Sequence, residues 1–496
     1  MDNQYGNYQI PPAVTYPTGK KELIFCLWMG LGSLILANFV FAGGFNLGFA
    51  MASLAILGGT VWYLWHAGWK GSAYSRSLLG LSAVILLGFA RSDDGFVKFV
   101  MICFLFVSVN LGLALTAAKN RWDSAGVYSL LDPFAVFFGL GMGKSGAAFR
   151  GLKGALRDNS ISRAVLSLLL GLAIAVPMLL ILIPLLISAD AAFDGLMGLL
   201  PAFDFQEIIF TVVFGIAALW IVYSRGTALN HAQDWGPVTK KPRKGLAALT
   251  MNTALGAVCL LYVVYLFSQL AYFVGGFAGI LPEGFTAAAY ARRGFFEMAW
   301  LCVLNLSIMI FGVSMSRKNQ GQAPLVSRIM CLFIGLVTLF FVIAAGAKMG
   351  LYIGSFGLTR LRLLTMVIMV FLGLTTAVIS LWLFIPKLPY MKTVLLIALV
   401  MGAVTLWVDV DTQVANYNVS AYLSGRLETV DVGYLEDLGG GAVPALDRLA
   451  RQAPEAQTRK HAAAALENRR KPDMDLRGYN FTRNHAWNIA EEYALK

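Results

Sequence analysis

Charge is what this sequence has least of. Only 13% of its 496 residues are Asp, Glu, Lys or Arg, about half the share of an average soluble domain, whereas 58% are hydrophobic. That balance excludes an ordinary water-soluble globule. Cysteine is nearly as scarce. The five, Cys26, Cys103, Cys259, Cys302 and Cys331, all fall in apolar runs with no C-x-x-C pair, which excludes a redox motif or a thiolate metal site. The four histidines are scattered and lack metal-ligand spacing. No nucleophile elbow, H-E-x-x-H or phosphate loop stands in a supporting context, so no catalytic residue, metal or cofactor is assigned.

Long charge-free runs are plentiful. About 20 apolar helical residues cross roughly 30 Å of hydrocarbon, and eleven stretches pass that test, near 23–42, 44–65, 76–91, 96–117, 164–188, 206–226, 246–275, 290–315, 326–347, 362–385 and 392–410. The expected fold is an all-α polytopic membrane protein. Its parts are a cytoplasmic segment 1–22, a multi-span domain 23–410 and a helical tail 411–496.

Orientation follows from the loops, because basic residues collect on the cytoplasmic side. With the N-terminus inside, the segments 1–22, 66–76, 119–163, 225–245, 317–328 and 386–392 hold 21 basic residues against 6 acidic, and the intervening outer ones hold 7 against 8. The tail is then an extracytoplasmic cap. The net charge of +12 is thereby explained by one membrane face and not by nucleic acid. Those basic loops, Lys144 to Arg163 above all, are expected to meet anionic headgroups or a protein partner. The apolar stretch 127–143 is interrupted by Asp132-Pro133. A span there would reverse every later loop, so it is expected to be interfacial or re-entrant.

Several phrases stand out: "FSQLAYF" at 267–273, "YARRGFFEM" at 290–298, "YIGSFGLTRLRLLT" at 352–365, "VDVDTQVANYNV" at 408–419 and "VDVGYLEDLGGGAVPAL" at 430–446. Together they resemble the uncharacterised bacterial multi-pass membrane proteins of the domain-of-unknown-function 4173 family. The resemblance implies a bacterial cell membrane and leaves the activity open.

All these phrases fall at expected outer helix ends. Glu297 lies 20 residues from Arg317, about 30 Å of helix, so it should mark the outer boundary with Arg292 and Arg293 among headgroups. Lys348, Arg360 and Arg362 join them, against the positive-inside trend. Asp409 and Asp411 are the facing carboxylates, while Gln269, Tyr272, Tyr352 and Asn416 are supporting polar candidates. Two roles compete for this set. Internal pairing would dock the cap, with Arg293 meeting Glu297 and Asp409 or Asp411 taking Arg360 or Arg362. An unbalanced set of arginines would instead hold an anionic lipid or envelope group. The resulting reading is a scaffold or sensor in contact with membrane lipids, with a transporter or an enzyme on a lipid-linked substrate as the alternatives.

Overall fold

The structure is a computed structural model that describes residues 14–157, 205–238, 245–277, 295–317, 322–468 and 475–494, with a few positions between 175 and 189. The described residues are helical, and their one β-contact is an isolated bridge between Leu246 and Ser316. Ten apolar helices build the bundle: α1 (Lys20–Gly43), α2 (Leu47–His66), α3 (Ala73–Gly88), α4 (Gly95–Thr116), α6 (Phe205–His231), α7 (Ala248–Phe277), α8 (Phe295–Met315), α9 (Leu325–Phe356), α10 (Arg360–Phe384) and α11 (Tyr390–Val408). Between α4 and α6 lies the amphipathic α5 (Ser145–Arg157). The tail adds α12 (Val410–Leu423), α13 (Val432–Asp437), α14 (Val443–Gln452), α15 (Ala456–Glu467) and α16 (Phe481–Ala494).

Nine of these helices are long and apolar enough to cross a membrane. The chain is a multi-pass membrane protein on that ground. The expected third span is only the 16-residue α3, and the expected fifth, 164–188, falls largely outside the described residues. Eleven is therefore not the count that the described residues give. The helix starts are locally encoded, since Ser72, Asp94 and Thr359 each accept a hydrogen bond from the backbone N–H three residues on.

From α1 to α4 and from α6 to α11 successive helices alternate in direction, while α4 and α6 both run toward the end where Asn110 meets Arg225 and Lys119 meets the Ala232 carbonyl, so the described connections gather at two ends. One end, called here the cap end, holds the turns at Gly43–Leu47, 89–94, 357–359 and Asp409, together with the tail. Backbone bonds tie the tail there, from Leu47 N–H to the Tyr479 carbonyl (3.1 Å) and from Phe481 N–H to the Ala90 carbonyl (2.8 Å). The other end holds the basic loops. It is stitched by Lys119, whose Nζ donates to the Ala232 carbonyl at 2.6 Å, and by Trp69, whose indole donates to Asn230 at 3.1 Å.

Three apolar clusters fill the bundle. One joins α1, α2 and α6 around Phe25, Met29, Tyr63 and Tyr223. A second joins α7 to α10 around Tyr262, Met309 and Phe341. The third runs from Leu78, Leu105 and Leu399 straight into Val414, Leu435, Leu446 and Leu449 of the tail, so cap and bundle share one core.

The stretch 127–142 is a 3₁₀ turn followed, after Asp132–Phe134, by a short π-helix at Ala135–Met142. It packs Val136 and Leu140 inward and leaves Phe134 and Phe138 exposed. Asp132 is fully buried, accepts the Arg121 N–H at 2.6 Å, and burial pushes its carboxyl up to about 6. Arg225 corrects a loop boundary. It sits inside α6, six residues or about 9 Å before the helix end, buried and donating to Asn110 Oδ1 at 2.9 Å.

Elsewhere the deep polar groups are satisfied across helices, as expected of interhelical glue. Asn305, on α8, accepts from the Tyr262 hydroxyl at 2.5 Å and donates to Thr338 at 3.0 Å. Asn305→Ala strands the buried Tyr262 hydroxyl and takes a donor from Thr338, whose own hydroxyl keeps its bond to the Ile334 carbonyl, so SDS-induced unfolding should show a loss of about 1–2 kcal/mol. An unchanged midpoint would remove Asn305 from the account of bundle stability.

A candidate functional site at the cap end

The site is assembled from chain segments that are far apart in sequence. α9 ends at Phe356, and Gly357 turns the chain with φ +74°, a conformation that favours glycine. The buried Asn418 of α12 holds that turn like a peptide edge, accepting from Leu358 N–H at 2.7 Å and donating to its carbonyl at 2.8 Å. Thr359 then caps α10, and Arg360 is its first residue.

Arg360 is the hub. Its Nε and Nη2 donate in parallel to Oδ1 and Oδ2 of Asp411, the second bond at 2.8 Å, the fork-on-carboxylate geometry that makes arginine pairs strong. Asp94 Oδ2 lies 3.4 Å from Nε, and Nη2 also reaches the Asp437 carbonyl at 3.2 Å. The backbone N–H of Arg360 donates to the Tyr434 hydroxyl at 2.9 Å. Asp411 is 1% exposed, and burial, helped by Asp94 and Asp409, pushes its carboxyl up to about 6 against the pull of Arg360.

Around this hub stand two more carboxylates. Asp93 is paired with Arg483 of α16 at 2.7 Å. Asp409, between α11 and α12, is 1% exposed with φ +57°. Thr412 donates to its Oδ2 at 2.6 Å, Oδ1 is buried with no hydrogen-bond partner among the described residues, and burial raises its carboxyl above the usual range. Lys98 approaches from α4, where its Nζ donates to Asn46 at 2.7 Å. The glycine run of the tail closes the top. A Cβ at Gly441 would lie 2.9 Å from Asp411 Cβ and from Thr412 N, and 3.0 Å from Asp409 Oδ2.

The sequence candidates divide accordingly. Arg360, Asp409 and Asp411 come together. Arg362 does not take an aspartate: it donates to the carbonyls of Phe356 (3.0 Å) and Gly357, and stacks on Tyr352 at 4.1 Å. Positions 360 and 362 lie about 200° apart on a helix, so they face different neighbours. Lys348 is half-buried within α9, two turns before its end, because that helix runs on to Phe356. Asn416 is half-buried on α12, and the clamp is Asn418, two residues on. Glu297 is exposed near the start of α8. Arg292 and Arg293 lie outside the described residues, as do the side chains of Gln269 and Tyr272. Arg483, Tyr434, Asn418, Gly441, Asp93 and Asp94 are not among the sequence candidates.

Two outcomes are expected. Gly441→Ala forces backbone apart where three atoms lie within 3.0 Å, so it should destabilise by about 1–3 kcal/mol and show as a lower melting temperature and faster proteolysis of the tail. The pH dependence has a definite sign. Asp411 titrates near 6 in the docked state and near 3.9 when freed, so the docked state binds its proton more tightly. The cost of ionising it is absent below about 4 and fully present above about 6. Melting temperature should therefore rise as pH falls from 7 to 5, and Asp411→Asn should flatten that rise.

With this geometry in place, the chain can be set beside known proteins. No curated protein and no solved structure matches it. Residues 77–449, from α3 into α14, match a family described as a domain of unknown function, DUF4153. An uncharacterised domain family is thus what the comparison gives, under a different number from the 4173 family that the phrases resemble. The matched span is three quarters of the chain and contains Asp93, Asp94, Arg360, Asp409, Asp411 and Gly441, and the protein belongs to the DUF4153 family.

Proposed function

We propose that the protein is a membrane scaffold or sensor whose helical C-terminal cap is seated on the bundle by the Arg360 cluster. The carrying observation is the Arg360–Asp411 pair, with its carboxylate buried, roofed by Gly439–Gly441 and flanked by Arg483 on Asp93. Internal pairing is the role that this geometry favours over a free arginine pocket. Arg292, Arg293 and Glu297 are left as the candidates for an anionic envelope or lipid group, and the basic loops as the face for a partner across the membrane. The bacterial cytoplasmic membrane, with the cap outside, fits the gathering of basic loops at the opposite end.

A second reading, transport, has one observation in its favour. Arg225 is an ionisable residue inside the bundle, held by Asn110 with no carboxylate beside it among the described residues, and such residues mark pathways in carriers.

Cysteine accessibility tests the first reading, in a background with the native cysteines replaced. Ala445 of α14 is buried at 1% exposure in the core that the cap shares with the bundle, so Ala445→Cys should react slowly with maleimide in membranes and much faster once Arg360→Gln is added. Gln457→Cys, on the exposed face, should react with a membrane-impermeant maleimide on intact cells. Equal rates with and without Arg360 would sink the docking role, and labelling of Gln457→Cys only after permeabilisation would reverse the orientation.

A further inference from the structure

Beneath the ion cluster, three helices leave an apolar groove of about 200 Å³ on the lipid side of the bundle. Its walls include Phe96 and Phe104 of α4, Leu364 and Phe371 of α10, and Met401 and Thr405 of α11. Thr405 is its one polar lining residue, and that hydroxyl already donates to the Met401 carbonyl at 2.8 Å. Nothing in the groove recognises a polar ligand.

The position of the groove narrows the occupant. On α10 the lining falls at 364, 367, 368 and 371, one helical stripe that continues one turn up to Arg360. On α11 the lining at 398, 401, 402 and 405 continues one turn on to Asp409, and α4 enters the groove just below its cap, Asp94. The three stripes therefore end together on the cluster, and the groove descends from there by about 10 Å along α10. All three helices belong to the membrane-spanning set, so the medium around the groove is hydrocarbon. At its mouth the carboxylates of Asp94 and Asp411 are 4% and 1% exposed, whereas the Arg360 side chain is 37% exposed. An incoming headgroup meets the guanidinium, whose Nη1 has no partner among the described residues.

We infer that the groove holds an acyl chain of a phospholipid from the cap-end leaflet, with the lipid phosphate on Arg360. This names the ligand class at the proposed cap junction, and rests on that reading for placing Arg360 at the membrane boundary. A guanidinium already forked onto one carboxylate retains donors for a phosphate oxygen, so the lipid joins the Arg360–Asp411 pair without displacing it.

The test uses full-length protein in phosphatidylcholine nanodiscs doped with phosphatidylglycerol carrying a diazirine on one acyl chain, with crosslinked peptides mapped by mass spectrometry. Crosslinks should concentrate on 96–104, 364–371 and 398–405 over the open lipid-facing residues Leu260, Leu261 and Ile343. Ile368 stands on the groove rim at 53% exposure; Ile368→Trp should cut groove labelling several-fold while Ala445→Cys stays protected. A diazirine-acyl diacylglycerol, lacking phosphate, should label the groove less. Groove labelling no higher than at Leu260 and Leu261, or unchanged in Ile368→Trp, overturns the lipid site. Equal labelling by the two lipids overturns the role of Arg360. If Ile368→Trp does not fold, the wild-type map decides alone. Failure of the cap reading appears separately, as fast labelling of Ala445→Cys in the unaltered cap.

Discussion

One residue joins four segments of the cap end. Arg360 begins α10, pairs with Asp411 of α12, approaches Asp94 at the start of α4, and reaches the Asp437 carbonyl and, through its own backbone N–H, Tyr434 of α13. Removing Arg360 leaves the Asp411 carboxylate buried without its partner, which costs far more than the intact pair contributes. The pair therefore acts as a constraint. Any arrangement of the tail that leaves Asp411 buried has to bring it to Arg360, and so to the boundary where α10 begins.

That constraint explains the local irregularities around it. α11 stops at Val408 and α12 starts at Val410, so Asp409 alone makes the turn between them, in a left-handed conformation that a side-chain-bearing residue seldom adopts. Such strain persists only where the surroundings over-determine it, and here the Thr412 hydroxyl holds the carboxylate while the cap closes from above. Closure in turn needs backbone without a Cβ at Gly441, because Asp411 and Thr412 lie directly beneath. The glycine run 439–441 is thus a contact surface.

Hydropathy made the architecture legible, because run length against bilayer thickness is a one-dimensional quantity. It failed where local sequence and depth disagree. Arg225 looked like the first residue of a basic loop, yet Asn110 satisfies it inside the bundle. α9 continues beyond Lys348 because a helix end is set by its cap, here Gly357, and not by the first charge. The aspartates and Arg360 were visible as charges in the wrong place. Their partners were not, since Arg483 meets Asp93 across 390 residues and Tyr434 meets Arg360 across 74. Choosing Asn418 over Asn416, or Arg360 over Arg362, needs the rotational phase of a helix against its neighbour, which a two-residue offset nearly inverts.

What the charges do is separate from what holds the cap in place. The tail buries Val414, Leu435, Leu446 and Leu449 in the same apolar core as Leu105 and Leu399 of the bundle, and apolar burial is the larger and less directional contribution. Ion pairs in a dry interior add little net stability against hydrophobic isosteres, so their use here is to fix register. Four aspartates, Asp93, Asp94, Asp409 and Asp411, face Arg360, Arg483 and the nearby Lys98, and Asp409 keeps a buried oxygen with no donor among the described residues. A buried carboxyl in that position is cheapest when neutral. The cap is thus seated by apolar burial and aligned by Arg360, with burial holding the carboxyls of Asp409 and Asp411 above the usual range.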